Sequence, residues 1–496
     1  MVFNSLTFLI FLPAVLAGYY LLPRRARTFW LLAASYVFYA SWNVKYTALI
    51  LISTGITYLS GLLIPKGHTQ GQKKAVVAGS LLLNFGILTV FKYGSFLMMN
   101  LNHALYALNG SMVSNPFTAL ILPVGISFYT FQAVGYTIDV YRGDTEPERD
   151  FFRYALFVSF FPQLVAGPIE RSGRLLSQIR RMERERIFSG EQFMRGAYTA
   201  LYGYMLKVIL ADRIAALVQT VYEGENAPLY AGYNIAMAAL LFSLQIYGDF
   251  AGYTYIAIGC ARMLGFSLCE NFNTPYLARG IRDFWDRWHM SLTSWFRDYL
   301  YFPLGGSRKG KLRKMINILI VFLVSGLWHG AAWHFVLWGA VHGIARVLEE
   351  VTEKPRRALA EFLHYDRDTF AHRLLQGILT FLFVSVCWIF FRAESAAQAF
   401  DMIRRMVTGA HLAQLTDGSL LNLGLDGKDL NVLIVFGSLM ILLDVWKKKG
   451  RDVAGALCRQ NTWFQFLLLF AGIVCIVLFG AYGPAYDAAA FLYFQF

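Results

Sequence analysis

Apolar runs long enough to cross a bilayer recur from one end of this chain to the other, at residues 6–22, 46–64, 119–138, 233–260, 374–391 and 464–479 among others. A membrane-spanning helix needs ~20 mostly apolar residues, so the pattern predicts an all-α, polytopic membrane protein. Composition agrees: 57% of the 496 residues are apolar and 15% are charged, where a soluble domain carries about a quarter. A sizeable soluble domain is excluded, and residues 1–496 read as one integral-membrane domain whose helices share a bundle.

The formal charge of +14 would suggest nucleic acid in a soluble protein. Here basic residues between spans set topology instead, because cytoplasmic loops are enriched in Lys and Arg. Arg24, Arg25 and Arg27 follow the first span, which puts that loop in the cytoplasm and the N-terminus outside. The first run has no basic leader and no small-residue cleavage site, so it reads as a retained span. Further spans are predicted at 28–40, 75–90, 193–210 and 432–446. Residues 315–348 carry basic groups on both flanks, which requires the run to go out and come back. The segment 151–166 is short and precedes the most basic stretch, 171–186. It is predicted to be re-entrant or interfacial, turning at Pro162, Gly167 and Pro168. The total is about eleven to twelve spans plus re-entrant pieces. Five cysteines, none in a CxxC pair, support neither a disulfide framework nor a zinc site.

Against this apolar background, residues 271–334 are crowded with Arg, Asp, His, Trp and Tyr. Ionisable groups at membrane depth are costly and mark functional sites. Residues 283–301 fit a single helix: Trp285, His289, Leu292, Phe296 and Tyr299 repeat at steps of four and three, with Arg287, Ser291 and Asp298 on another stripe. His329 lies between Gly326 and Gly330, where helical regularity is expected to loosen and the backbone to face a cavity. A neutral imidazole there suits proton abstraction from a hydroxyl, with Trp328 and Trp333 keeping water away. His289 is the second candidate. Ligation of a metal by His289, His329 and His334 is disfavoured, since five-residue spacing separates His329 and His334 by roughly 140° on a helix. Asp249, in YGDFAGYT, reads as a helix-packing partner. An ion or lipid transporter is the non-enzymatic alternative, but no pair of matching interrupted helices supports it. No phosphate-binding Gly-rich loop and no GxSxG elbow occurs.

Several stretches together resemble the membrane-bound O-acyltransferase family, in its bacterial alginate O-acetyltransferase-like branch: PVGISFYTFQAVGYTIDVYRG at 123–143, FPQLVAGPI at 161–169, NFNTPY with FWDRWHMSLTSWFRDYLYFPLGG within 271–306, GLWHGAAWHFVLWGAVHG at 326–343, and the terminal YFQF. The likeness covers most of the chain, with a motif core at 121–343 and C-terminal spans within 374–496. It implies tilted helices around a central funnel, a catalytic histidine at His329 and a second polar position at His289. Trp328, Arg287, Trp288, Asn273, Asp298 and Trp333 are the donor- or substrate-binding candidates, with no metal. The resemblance further implies acetyl-CoA as donor, entering from the cytoplasm past the basic loops at 171–186 and 308–314. The acceptor would be an extracytoplasmic polysaccharide, served by an SGNH-type acetyltransferase partner, and the location the bacterial inner membrane. D-alanyl transfer to teichoic acid is the alternative within the family. Asp286 departs from the family pattern, in which a basic residue is common at that place.

Overall fold

The computed structural model describes every residue except 166, 186, 187, 422 and 483–496, so the terminal YFQF motif and the ends of 151–166 and 171–186 lie outside the described residues. No strand occurs among the described residues. In chain order the helices are α1 (Leu6–Leu21), α2 (Arg27–Ala40), α3 (Thr47–Leu63), α4 (Gln70–Leu88), α5 (Gly94–Asn109), α6 (Ile126–Arg142), α7 (Phe151–Ser159), α8 (Phe161–Leu164), α9 (Ser172–Arg184) and α10 (Gly190–Tyr204). They continue as α11 (Asp212–Tyr222), α12 (Tyr233–Met263), α13 (Ile281–Trp285), α14 (Met290–Phe296), α15 (Lys311–His329), α16 (Trp333–Phe362) and α17 (Phe370–Arg392). The last four are α18 (Ala396–Thr408), α19 (Gly427–Lys448), α20 (Val453–Cys458) and α21 (Thr462–Phe479). Among the described residues, seven helical segments are long and apolar enough to span a bilayer. The count expected from sequence was higher because α1, α2, α6 and α10 have 16, 14, 17 and 15 residues.

The chain divides into two compact units. One comprises Met1–Ala200 with Ile256–Cys269; the other comprises Leu201–Tyr255 with the described residues from Glu270 onward. In the first, α6 is buried along nearly its whole length, and Gln132 of its polar SFYTFQ patch finds a partner inside protein. Gln132 Nε2 donates to the Phe157 carbonyl at 2.6 Å, as Gln163 Nε2 does at 2.8 Å. Asp150 starts the short α7 by accepting the Phe152 and Arg153 N–H groups. The basic stretch after it forms the amphipathic α9, with Leu175, Leu176, Ile179 and Met182 buried. Arg180 pairs with buried Glu148 at 2.7 Å, and Arg153 with Glu183 at 2.6 Å. Charges that looked like a loop therefore hold a helix down.

The second unit contains the polar stretch. Its central pair is α15 and α16, which pack antiparallel as a hairpin, with Gly326 against Gly339 and Lys314 against Glu350. The break falls at Gly330, whose extended backbone (φ −159°) ends α15 directly after His329. Gly326 stays helical and serves packing instead. Its Cα lies 3.2 Å from where a Cβ on Gly339 would sit, so the two helices cross backbone to backbone. α16 continues through Pro355 to Phe362, beyond the apolar run that ends at residue 348.

The region 283–301 is not one helix. It breaks between Trp285 and Met290, and His289 adopts a left-handed conformation, φ 45° and ψ 51°. Such a conformation is uncommon outside glycine and costs energy unless the surroundings fix it. Here they do: the Met290 N–H donates to the Asn271 carbonyl (2.9 Å) and the Asn273 N–H to the Arg287 carbonyl (3.0 Å). Ser291 Oγ donates to Asn271 Oδ1 at 2.5 Å. The NFN segment thus clamps both sides of the kink, and the predicted stripe of Arg287, Ser291 and Asp298 does not form.

Candidate active site

The clamp turns the His289 ring inward, where it is fully buried. Its centroid lies 6.3 Å from that of His329. His329, 4% exposed, is the last residue of α15, so the helix supplies its position and Gly330 lets the chain leave at once. Aromatic rings close the surroundings. Trp328 packs edge-on to His329 at 5.0 Å and to His289 at 5.9 Å. Phe250 of α12 packs on His289 at 4.8 Å, while Trp338 of α16 and Phe391 of α17 pack on His329 at 5.1 and 5.4 Å. Two imidazoles thus share a water-poor chamber built from four helices, α12, α15, α16 and α17, and the kink between α13 and α14.

Of the sequence-predicted residues, His329, His289 and Trp328 come together here. Trp288 stands behind them in a column of indoles, 5.1 Å from Trp388, which stacks on Trp338 at 5.6 Å. Trp333 does not flank His329: it begins α16 facing away, 57% exposed, and Trp338, five residues further on, takes the place expected of it. Arg287 bonds Asp283 at 2.6 Å and the Asn273 carbonyl at 3.3 Å. That is a half-buried cluster around the kink, and the buried asparagine that supports His289 is Asn271. Asp298 accepts from Arg297 Nε at 3.2 Å. His334 is tied to the Phe390 carbonyl at 3.0 Å, and no group of three His, Cys, Asp or Glu capable of holding a metal occurs among the described residues.

Trp338, Phe391 and Phe250 were missed from sequence. A partial signal existed for two of them. Trp338 and His342 are four apart, hence on one face of α16. In YGDFAGYT, Gly248 and Gly252 mark the face of α12 that abuts the π-helical stretch Met205–Ala211. Between those glycines Asp249 forms a buried ion pair with Lys207 at 2.6 Å, and Asp212 meets the same ammonium at 2.8 Å. The packing role expected of Asp249 is what the structure shows.

A cavity of about 370 Å³ opens beside this chamber. Arg282, Asp286, Arg297, Lys314 and Arg346 line it, together with an apolar wall of Trp285, Leu292, Phe296, Ile318, Val321 and Phe322. Arg282 and Arg297 are largely exposed, whereas Trp285 is buried, so charge lies at the mouth and aromatic surface within. Ser325 also lines it. It precedes His329 by four residues on α15, roughly 6 Å along the axis. Lys314 and Arg346 both engage Glu350. The Lys314 hydrogen bond, seconded by Arg346, holds the Glu350 carboxyl below the usual carboxylate range.

An all-helical membrane architecture with a histidine pair buried among aromatic rings defines a class, and comparison of sequences agrees. The model of the membrane-bound O-acyltransferase family matches residues 147–386, and the chain belongs to that family: it is a multi-pass membrane O-acyltransferase. Among individual proteins it is 38% identical to "Probable alginate O-acetylase AlgI" of Azotobacter vinelandii, over 82% of this chain and 78% of the relative. It is 33% identical to "Peptidoglycan O-acetyltransferase" of Helicobacter pylori, over 84% and 82%. The "Teichoic acid D-alanyltransferase" of Bacillus subtilis is 30% identical over 53% of this chain and 67% of the relative.

Proposed function

We propose that this enzyme takes an acetyl group from cytoplasmic acetyl-CoA and delivers it for O-acetylation of an extracytoplasmic polysaccharide. The observation that carries the reading is the juxtaposition of two buried imidazoles with a cavity that is basic at its mouth and ends one helical turn from one of them. Arg282, Arg297 and Lys314 suit the phosphates of a CoA donor, and the apolar wall suits its thioester arm. His329 takes the proton from the attacking hydroxyl, whose oxygen then bonds to the acyl carbon. As the C–S bond breaks, the thiolate leaves with the proton that the imidazolium returns. His289 orients or polarises the acyl group from the opposite side, and the rings around both exclude the water that would hydrolyse the thioester. An SGNH-type partner outside the membrane completes transfer to the polymer. The basic group at Arg24, Arg25 and Arg27 supports an N-terminus on the outer side of the bacterial inner membrane.

Replacing His329 with Ala, with insertion checked, is expected to abolish surface O-acetylation; undiminished acetyl content would defeat the assignment. The D-alanyltransferase relative makes a carrier-borne aminoacyl donor the competing reading. Purified protein given labelled acetyl-CoA and, separately, a D-alanyl carrier decides between them by which label is transferred.

A further inference from the structure

Trp285 lines the donor cavity, and that side chain is held from behind. Its indole N–H donates to His342 Nδ1 at 3.3 Å. An indole N–H can only donate, so Nδ1 is the accepting nitrogen and the His342 proton sits on Nε2. His342 is fully buried and packs edge-on to Trp338 at 5.1 Å. Trp338 in turn touches both Trp285, at 5.6 Å, and His329, at 5.1 Å. On its other side Trp285 meets Phe322 at 5.2 Å, which also lines the cavity. A single indole, fixed in orientation by one hydrogen bond and by rings on two sides, therefore forms the part of the cavity lining that adjoins Trp338, the ring packed on His329.

We infer that Trp285 sets the length of acyl chain this cavity accepts, and that His342 is the positioning residue that keeps the indole in place. The inference rests on the donor reading above and adds what selects the acyl group: a two-carbon chain fits in front of the indole, and a four-carbon chain meets its face. Removing the ring joins its volume to the cavity and removes the discrimination. His342 makes no contact with substrate and acts only through the orientation of Trp285.

The test uses the full-length protein in vesicles, supplied with acetyl-, butyryl- or hexanoyl-CoA, and reads the ratio of kcat/KM between chain lengths. That ratio does not depend on how much of a variant is folded. For Trp285→Ala it is expected to move roughly tenfold or more toward butyryl, the scale of discrimination that one or two methylenes provide in an apolar pocket. His342→Leu should move it the same way by less. His342→Asn, which keeps an acceptor near the indole, should restore the native ratio. Native ratios in both Trp285→Ala and His342→Leu would overturn the inference while leaving the donor reading intact. Failure of the unaltered protein to use any acyl-CoA would overturn both.

Discussion

Gly326 offers a direct measure of how tightly the position of His329 is held. A methyl group added there would overlap the Phe335 carbonyl, leaving its carbon 3.1 Å and the Val336 Cα 3.3 Å away. Carbon atoms prefer about 3.5–4.0 Å, so α15 and α16 must separate by roughly 0.5–1 Å, and neither obstacle is a side chain that can swing aside. Overpacking of this kind costs about 1–3 kcal/mol. The displacement also reaches His329, three residues on, and a shift of ~1 Å at reacting groups can cost about a hundredfold in rate. Gly437 of α19 supplies the control, because a Cβ there meets nothing within 4 Å. Gly→Ala in an open helix position should be neutral or add about 0.5–1 kcal/mol. The assay is thermal unfolding in lipid nanodiscs with acetyl transfer per inserted molecule. Gly326→Ala should lose both stability and rate; Gly437→Ala should lose neither. Equal behaviour of the two variants would refute the claim that the backbone crossing positions the His329 ring.

Three further outcomes follow from the same structure. Lys207→Met leaves Asp212 and Asp249 buried without their ammonium and should destabilise the protein by ~3–5 kcal/mol; the triple apolar replacement should recover most of that, and thermal unfolding measures both. Glu350, its carboxyl held below the usual range by Lys314 and Arg346, contributes stability above its unfolded pKa of about 4.3. That contribution is lost as pH falls through the lowered folded value. The native protein should therefore lose stability on acidification more steeply than Glu350→Gln, and identical curves would count against the ion cluster. In a cysteine-free background, a cysteine at His68 should react with an impermeant thiol reagent only from the cytoplasmic side and one at Ser111 only from outside; the reverse pattern would invert the topology.

Much of the fold was legible because a bilayer admits few solutions. Long apolar runs became helices, and basic flanks required α15 and α16 to form a hairpin with His329 at its break. The kink at His289 was not legible. Its apolar residues keep a four-and-three spacing across two short helices, and nothing in RWHMS signals that a histidine takes a left-handed conformation. The cause lies in Asn271, 18 positions earlier in the numbering, whose carbonyl accepts the Met290 N–H. Trp338 and Phe391 reach His329 only through the return of α16 and α17, so their part in the chamber is tertiary. The cavity beside the histidine pair draws Arg282, Arg297, Lys314 and Arg346 from separate elements, an arrangement that sequence spacing does not encode.

The central claim is that His329 moves a proton for acyl transfer inside a chamber that a cytoplasmic donor can reach. The measurement that meets it most directly is transfer of labelled acetyl from acetyl-CoA, presented to the cytoplasmic face of sealed vesicles, to a hydroxyl acceptor on the opposite face. The unaltered protein should support it, and His329→Ala, inserted at equal density, should reduce it by at least the 10²–10⁴-fold that general-base catalysis supplies. Transfer at the native rate by His329→Ala would contradict the account.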